Sequence, residues 1–237
     1  MAEKPGTLYL IPAPLHAEGM DMIPSGTLAV MHALEAFIVE EARTARRYLR
    51  AAGHPRPIDE LSIEPMAGPD DPRDLPLQQL GPLLAGKDMG ILSEAGLPGV
   101  ADPGQAYVRL AHLHGARVVP LAGPSSILMA LMASGLEGQR FTFHGYLSAK
   151  KADLAQEIRE LEKRADRDDA TQLWIEAPYR NRQVLEAVAA HAGRQRMFCI
   201  AAGIGGEDAF IRTMRVEEWL KRGWPEVHKV PAVFLMR

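Results

Sequence analysis

The chain has 237 residues but only one cysteine, Cys199, which lies in the apolar run MFCIAA. A single cysteine excludes an internal disulfide and is compatible with a reducing compartment. No apolar run approaches the roughly 18 residues that a membrane-spanning helix requires. The first residues, MAEKPGTLYL, lack the basic and apolar character of a secretory leader. We therefore expect a cytoplasmic protein without a membrane segment.

The chain also lacks an excess of basic residues, since 27 lysines and arginines stand against 30 acids, for a net charge of −3. This balance excludes the overall basic surface of a non-specific nucleic-acid binder, so any RNA contact must be a local patch. Neither GxGxxG nor GxxxxGK[ST] occurs, which argues against NAD and ATP. His112 and His114 have no cysteine or acid at ligand spacing, and we expect no metal.

Short apolar segments alternate with segments of helical periodicity along the whole chain. This alternation predicts an α/β fold with parallel or mixed sheets covered by helices. The predicted strands are Thr7–Ile11, Phe37–Val39, Gly90–Leu92, Arg117–Leu121, Phe141–His144, Gln172–Ile175, Met197–Ala201 and Val230–Met236. The predicted helices are Glu41–Ala52, Pro103–His114, Ser125–Ser134, Lys151–Arg164 and Arg180–Ala190.

Two lobes of similar size are predicted, residues 1–122 and 123–237. The division falls where the strand ARVVPL ends and AGPSS opens a helix that closes on Gly135. Within the first lobe, Glu64–Pro76 has four prolines and four acids. We predict an exposed loop there, because proline interrupts helices and central strands.

Loops rich in glycine, proline and hydroxyl residues follow five of the predicted strands. An α/β sheet binds its ligand at the carboxyl ends of its strands, which is where these loops lie. The loop in DMGILSEAGLPGVADPG, residues 88–104, is the most informative, because it brings open backbone groups beside the carboxyl groups of Glu94 and Asp102. The other loops are PAPL at 12–15, GPSS at 123–126, EAPYR at 176–180 and AAGIGG at 201–206.

Taken together and in order, these segments resemble a known family. The chain resembles the tetrapyrrole methylase superfamily of S-adenosylmethionine (SAM) dependent methyltransferases, and within it the bacterial 16S rRNA 2′-O-ribose methyltransferase I family. The matching segments are GTLYLIPAPL at 6–15, EEARTARRYL at 40–49, ILSEAGLPGVADPG at 91–104, RVVPLAGPSSILMALMASGL at 117–136, FTFHGYL at 141–147 and WIEAPYRN at 174–181.

The resemblance implies two α/β lobes with SAM in the cleft between them, and a homodimer. It also implies that SAM is held chiefly by backbone groups. The residues concerned are Pro12, Leu97, Val100, Ala101, Ser125, Ser126, Ile127, Ala177, Ala201 and Pro231.

The chain departs from the family on the side of the substrate. A TPIGNLxDIT-like segment usually follows the first strand, and this chain has PAPLHAEGMDMIPSGT instead. An EDTR-like motif is EEAR here, and SDAG is SEAG. The RELTKxxEE-like segment is replaced by AAGIGGEDAF at 201–210, which contains no lysine. The segments that the resemblance assigns to the cofactor are therefore retained, whereas those that it assigns to the substrate are changed.

A ribose hydroxyl is a weak acid, so its methylation gains from a group that accepts the proton. Glu94, in the loop beside the predicted cofactor, is the first candidate for this catalytic base, and Glu41 and Glu176 come next. The alternative for Glu94 is that its carboxylate only caps backbone amides.

Four arginines, Arg43, Arg46, Arg47 and Arg50, recur at helical spacing and share one helix face. Such a stripe favours contact with RNA phosphates, because guanidinium offers a planar fork of donors. Lys150 and Lys151 would extend the patch. The alternative is a solvated face paired with Glu40, Glu41 and the acidic 64–76 loop.

Three functional hypotheses remain open at this point. The first is a SAM-dependent methyltransferase acting on RNA, with ribosomal RNA and a ribose hydroxyl as target. The second keeps SAM but takes a tetrapyrrole or another small molecule, whose carboxylates would face the arginine stripe. The third is a SAM-binding protein without catalysis.

Overall fold

The computed structural model describes residues 4–68 and 70–237. The chain divides into two compact units, one ending at Ser125 and the other starting at Ser126. The predicted lobe boundary after residue 122 stays a prediction. Each unit is built on a five-stranded sheet flanked by helices, so the expected α/β class is confirmed.

The sheet of the first unit is parallel throughout, with the strand order β3-β2-β4-β1-β5. All five carboxyl ends therefore lie at one edge. The strands are β1 (Thr7–Ile11), β2 (Ala36–Val39), β3 (Ser62–Pro65), β4 (Met89–Leu92) and β5 (Arg117–Pro120). The helices are α1 (Ser25–Ala33), α2 (Ala42–Ala51), α3 (Leu75–Gln79), α4 (Gly81–Leu84) and α5 (Gln105–Leu113).

Continuous apolar runs build the centre of this sheet. All four residues of β2 and all four of β4 are buried, as expected for parallel strands covered on both faces. Gly90 is required within β4, because a Cβ atom there would lie 2.7 Å from Ile11 Cδ1 and 2.9 Å from Phe37 Cδ1. The close packing of β1, β2 and β4 fixes the start of the loops that follow them.

The sheet of the second unit is mixed, with the order β6-β7-β10-β8-β9. Only the pair β6 and β7 is parallel, and the other pairs are antiparallel. The strands are β6 (Phe141–Tyr146), β7 (Thr171–Glu176), β8 (Met197–Ala202), β9 (Phe210–Arg215) and β10 (Ala232–Met236). The helices are α6 (Ser126–Ser134), α7 (Lys151–Asp168), α8 (Asn181–His191) and α9 (Val216–Arg222).

The prediction for Glu64–Pro76 was wrong at both ends of the segment. Glu64 and Pro65 belong to β3, which pairs only with β2 and so tolerates a proline at the sheet edge. Leu75 and Pro76 open α3, where proline suits the first helical turn. Pro69, within the same segment, lies outside the described residues.

Candidate cofactor and substrate site

Loops that follow β1, β4 and β5 emerge side by side at the carboxyl edge of the first sheet. They do so because β4, β1 and β5 are neighbouring parallel strands. The first two loops are joined directly, since the Ala13 N–H donates to Gly96 O at 2.8 Å and the Gly96 N–H donates to Ala13 O at 3.0 Å. This edge is where an α/β sheet binds ligands.

Pro12, the first residue after β1, is held in place from two sides. The Tyr48 hydroxyl, on the buried face of α2, donates to Pro12 O at 2.8 Å. Gly123 packs so closely on the Pro12 ring that a Cβ at this glycine would lie 2.3 Å from Pro12 Cβ. The position of the Pro12 backbone is therefore set by α2 and by the loop after β5.

The loop after β4 turns sharply through residues with positive φ. Gly96 has φ +75°, Gly99 has φ +79° and Ala101 has φ +61°. Asp102 Oδ1 accepts hydrogen bonds from the Gly99 N–H at 2.6 Å and the Gly104 N–H at 2.8 Å. This carboxylate thus holds both ends of the turn at 99–104.

The second oxygen of Asp102 is buried and has no hydrogen-bond partner among the described residues. Burial raises the pKa of this carboxyl, the two backbone hydrogen bonds lower it, and the charge of Glu40 raises it further. A buried acceptor without a partner is costly, so this oxygen has spare capacity to bind a donor.

The segment from Leu97 to Ala101, predicted to bind the cofactor, leaves space beside its backbone. Leu97 is half-buried, whereas Val100 is 46% exposed and Ala101 is also exposed. A Cβ added at Gly99 would meet no atom within 4 Å, which leaves open space beside the turn. The open turn therefore has room for a ligand beside its backbone.

In the second unit, three predicted cofactor residues share one edge of the sheet. β10 begins at Ala232, which lies opposite Glu176 on one side and Ala202 on the other. Ala177, Ala201 and Pro231 are neighbours of these positions and so lie close together. The Gly203 N–H donates to Pro231 O at 2.9 Å, which joins the loop after β8 to the start of β10.

Asn181, at the start of α8, fixes the segment that leads into Pro231. Its Nδ2 donates to Val227 O at 2.8 Å and to Val230 O at 2.7 Å. The asparagine is fully buried. The motif EAPYRN therefore has a structural role at this edge, because its last residue positions the backbone before β10.

The remaining predicted cofactor residues lie where the two units join along the chain. Ser125 is the last residue of the first unit, and α6 begins at Ser126 rather than at the predicted Ser125. Both serines are half-buried. The Ile127 side chain is 8% exposed and belongs to the buried face of α6, so only its backbone is suited to contact a ligand.

The three candidate bases differ in their surroundings. Glu41 caps α2 and accepts from the Arg43 and Thr44 N–H groups, and these backbone hydrogen bonds lower its pKa. The Glu176 side chain is fully buried and lies 3.2 Å from Arg180 Nη2. Burial is the main cause that raises the pKa of Glu176. Both carboxylates therefore have structural tasks.

Glu94 is exposed, and its backbone N–H donates to Glu40 Oε2 at 2.8 Å. Its carboxylate forms no hydrogen bond or ion pair with any residue that the structure describes. The alternative that this side chain caps nearby amides does not match this geometry. Of the three acids, Glu94 alone keeps a carboxylate available to a ligand at the edge of the first sheet.

The four arginines of α2 all lie on its exposed face, as the spacing predicts. The opposite face buries Ala45, Tyr48 and Leu49. Across residues 4–68 and 70–237, none of the four guanidinium groups lies within ion-pair distance of an acid. The ion pairs that the alternative expected with Glu40, Glu41 and the 64–76 loop are therefore not observed among the described residues. Lys150 and Lys151 are exposed at the start of α7, in the second unit.

Sequence reasoning missed Tyr48 and Gly123 as residues that shape the site. Tyr48 lies 36 positions from Pro12 along the chain. A contact between residues so far apart cannot be predicted from a local sequence pattern. A signal for Gly123 was present, since it begins the GPSS loop at 123–126, but that pattern does not show that the Pro12 ring leaves no room for a side chain there.

The described part of the chain holds no group of three or more His, Cys, Asp or Glu residues arranged to bind a metal ion. Within the same part, no helix combines the length and the apolar character needed to cross a membrane.

Comparison with known proteins identifies relatives over most of the chain. No model of a protein family matches it. The ribosomal RNA small subunit methyltransferase I of Xylella fastidiosa is 31% identical over 197 residues, which cover 83% of this chain and 68% of that protein. The protein of the same name from Pseudomonas aeruginosa is 27% identical, over 90% of this chain and 71% of the relative. The protein of the same name from Bacillus subtilis is 31% identical over 186 residues, which cover 78% of this chain and 59% of the relative.

Solved structures show the same fold. The methyltransferase CobJ has a TM-score of 0.61 at 16% identity and covers 99% of this chain and 94% of its own. The uroporphyrin-III C-methyltransferase of Thermus thermophilus has a TM-score of 0.56 at 17% identity and covers 98% and 94%. These neighbours confirm the predicted tetrapyrrole methylase fold, and the relatives confirm a methyltransferase that uses SAM. The chain belongs to the family of ribosomal RNA small subunit methyltransferase I.

Proposed function

We propose that this methyltransferase transfers the methyl group of SAM to a ribose hydroxyl of RNA in the small ribosomal subunit. The relatives carry the name of an enzyme that acts on this RNA. The observation that carries the proposal is the exposed face of α2, where no described acid lies within ion-pair distance of Arg43, Arg46, Arg47 or Arg50. Unpaired guanidinium groups on one face are suited to bind a phosphate backbone.

SAM supplies an activated methyl group on a positively charged sulfur. In the transfer, the ribose oxygen forms a bond to the methyl carbon while the bond from that carbon to sulfur breaks. The hydroxyl proton passes to a carboxylate, for which we propose Glu94, because this carboxylate has no other partner in the described residues. The enzyme's main task is to hold oxygen and methyl group in line.

The cofactor side of the proposal uses the backbone of the loops after β1 and β4. Pro12 is fixed by Tyr48 and Gly123, and the turn from Leu97 to Ala101 is fixed by Asp102. Rigid loops of this kind position a ligand without a large ordering cost. The proposal also places SAM between the lobes. It includes contacts of SAM with six further residues, namely Ser125, Ser126, Ile127, Ala177, Ala201 and Pro231.

Transfer of labelled methyl groups tests this function. Small ribosomal subunits from a strain that lacks the protein are incubated with the full chain and SAM labelled in its methyl group. We expect the label in the RNA and not in the ribosomal proteins. If calorimetry shows SAM binding while the RNA stays unlabelled, the RNA proposal fails. Label on an added tetrapyrrole would favour the small-molecule alternative.

A homodimer and a cytoplasmic location complete the proposal. Helix α6 exposes the side chains of Leu128, at 45%, and Met132, at 82%, four residues apart on one face, and an apolar patch of this kind is typical of an interface. Sedimentation of the wild type and of Met132→Lys tests the dimer. The location follows from the ribosomal target.

A further inference from the structure

A groove of about 360 Å³ lies in the first unit beside the candidate cofactor loops. We call it the Arg47 groove. It is lined by the segment after β1, by the start of the loop after β4, and by one side of α2. The lining residues that bear on its chemistry are Leu15, His16, Met20, Arg47, Tyr48 and Glu94.

The groove has an apolar part and a polar rim. Leu15 and Met20 are half-buried, and the ring of Tyr48 is buried beside them. His16, Arg47 and Glu94 supply an imidazole, a cation and a carboxylate. A pocket that combines apolar walls with a few polar groups is the usual form of a small-ligand site.

The size of the groove limits what can enter it. Ligand pockets span about 300–1,000 Å³, so this volume lies at the lower end and suits one nucleotide. A helical RNA segment is far wider. Single-stranded RNA, by contrast, presents unstacked bases that pack on apolar and aromatic side chains.

Arg47 differs from the other arginines of the stripe. Arg43, Arg46 and Arg50 share its helix face and its exposure, yet Arg47 is the one arginine among the residues that line the groove. Of the four arginines, Arg47 is therefore the one placed to contact a nucleotide in the groove. The other three are placed to contact the RNA backbone on either side of that nucleotide.

We propose that the Arg47 groove binds one unpaired nucleotide of the substrate RNA. Arg47 contacts its phosphate, the base packs on Leu15 and Met20, and Glu94 faces its ribose. This inference rests on the proposed function and deepens it, since it names the substrate as RNA with an unstacked nucleotide.

The same groove assigns a role to the segment in which this chain departs from its family. Leu15, His16 and Met20 all belong to PAPLHAEGMDM, which stands in place of the usual TPIGNLxDIT-like segment. Base contacts give sequence selectivity and phosphate contacts give position. The segment PAPLHAEGMDM, in which the chain differs from its family, therefore determines which nucleotide the enzyme accepts.

An RNA-binding measurement on the full chain tests the groove. A single-stranded RNA of mixed sequence is titrated in the presence of S-adenosylhomocysteine, and fluorescence anisotropy reports its binding. Arg47→Ala and Arg50→Ala remove the same charge from the same helix face. We expect Arg47→Ala to weaken binding about tenfold and Arg50→Ala by no more than about threefold, because only the former also loses a contact at the nucleotide. Equal effects of the two variants would overturn the assignment.

A second variant fills the groove without changing the charge. Met20→Trp is expected to weaken RNA binding about tenfold while calorimetry gives the SAM affinity of the wild type. Leu15→Trp is made in parallel, so that a folding defect in one variant does not decide the outcome. RNA binding at wild-type strength by either folded variant contradicts the proposal.

The outcomes separate this inference from the proposed function. A wild type that binds the RNA with the expected contrast between Arg47 and Arg50, but labels no ribosomal subunit, overturns the proposed function and supports the groove. A wild type that labels small subunits while Met20→Trp labels them equally well overturns the groove alone. Failure of the wild type to bind any single-stranded RNA also overturns the groove.

Discussion

The Tyr48 hydroxyl donates a hydrogen bond of 2.8 Å to the carbonyl oxygen of Pro12. Through this contact, α2 serves two parts of the candidate site. Its buried face holds the loop after β1, a candidate for cofactor binding, and its exposed face presents four arginines to solvent. A substitution on the buried face of α2 should therefore weaken the binding of SAM, and a substitution on the exposed face should weaken the binding of RNA.

Tyr48→Phe removes this hydrogen bond and keeps the packed ring. The Pro12 carbonyl then loses a buried partner, which costs about 1–3 kcal/mol in the free energy of unfolding. We expect SAM to bind several-fold more weakly, as measured by calorimetry. Tyr146→Phe is the matched control, because this tyrosine is 61% exposed and its loss of the hydroxyl should change neither quantity. An unchanged SAM affinity in Tyr48→Phe would contradict a role for Pro12.

Gly123→Ala tests the close approach of the loop after β5. The new Cβ would lie 2.3 Å from Pro12 Cβ, so the two loops must move apart. Overpacking of this kind costs about 1–3 kcal/mol, and thermal unfolding should show the loss. We also expect weaker SAM binding. Gly138→Ala, where a Cβ meets no atom within 4 Å, should behave as the wild type.

Asp102→Asn tests the carboxyl that holds the turn at 99–104. Burial raises the pKa of Asp102 above its ordinary value of 3.8, so the ionised form is disfavoured in the folded state. The protonated Asp102 carboxyl therefore contributes to the free energy of unfolding. This contribution is fully present below pH 3.8 and is lost as the pH rises through the raised pKa. Asparagine does not titrate.

The stability of Asp102→Asn relative to the wild type should therefore increase between about pH 3.5 and pH 7. Urea unfolding at several pH values measures this difference, in which the other carboxyl groups cancel. Asp59→Asn, at an exposed site, serves as the control. A difference that stays constant with pH would mean that the Asp102 carboxyl is not shifted upwards.

The arginine stripe predicts a salt dependence. Each phosphate contact on single-stranded RNA contributes about 0.7 to the slope of log affinity against log salt concentration. The double variant Arg46→Ala/Arg47→Ala should lower the magnitude of this slope by about 1.4 and reduce methyl transfer to RNA strongly. Arg73→Ala/Arg109→Ala removes two exposed charges elsewhere in the first unit. If both double variants change the slope equally, the stripe is not the RNA-binding face.

Apolar periodicity predicted the buried elements well. β1 has its predicted bounds, Thr7–Ile11, and α2 differs from the predicted Glu41–Ala52 by one residue at each end. Both elements bury one clear face or run, which leaves a strong local pattern. α7 continues four residues past the predicted Arg164, to Asp168, because Ala165 extends its buried face.

Elements with weak or mixed patterns were not predicted. β9, with the sequence FIRTMR, pairs only with β8 and is half-exposed, so its apolar residues do not alternate clearly. The short helices α3, α4 and α9 contain no more than seven residues each, too few to show a period. α1 has apolar residues around its circumference, which hides the helical face.

The loops of the candidate site were predicted from the sequence, but the contacts that hold them were not. Motifs placed the loops at Pro12 and at Leu97–Ala101, because strand ends and turn residues are local signals. The contacts that fix these loops join residues far apart in the chain, such as Tyr48 with Pro12 and Glu40 with Glu94. Such pairs depend on the packed fold and leave no trace in local spacing.

The chemical form of the methylated product tests the central claim most directly. RNA labelled from SAM is purified from small ribosomal subunits and hydrolysed with alkali, which cannot cleave next to a methylated 2′-hydroxyl. The account predicts that the label appears in alkali-resistant dinucleotides. Label confined to mononucleotides, or RNA without label from an enzyme that binds SAM, would contradict it.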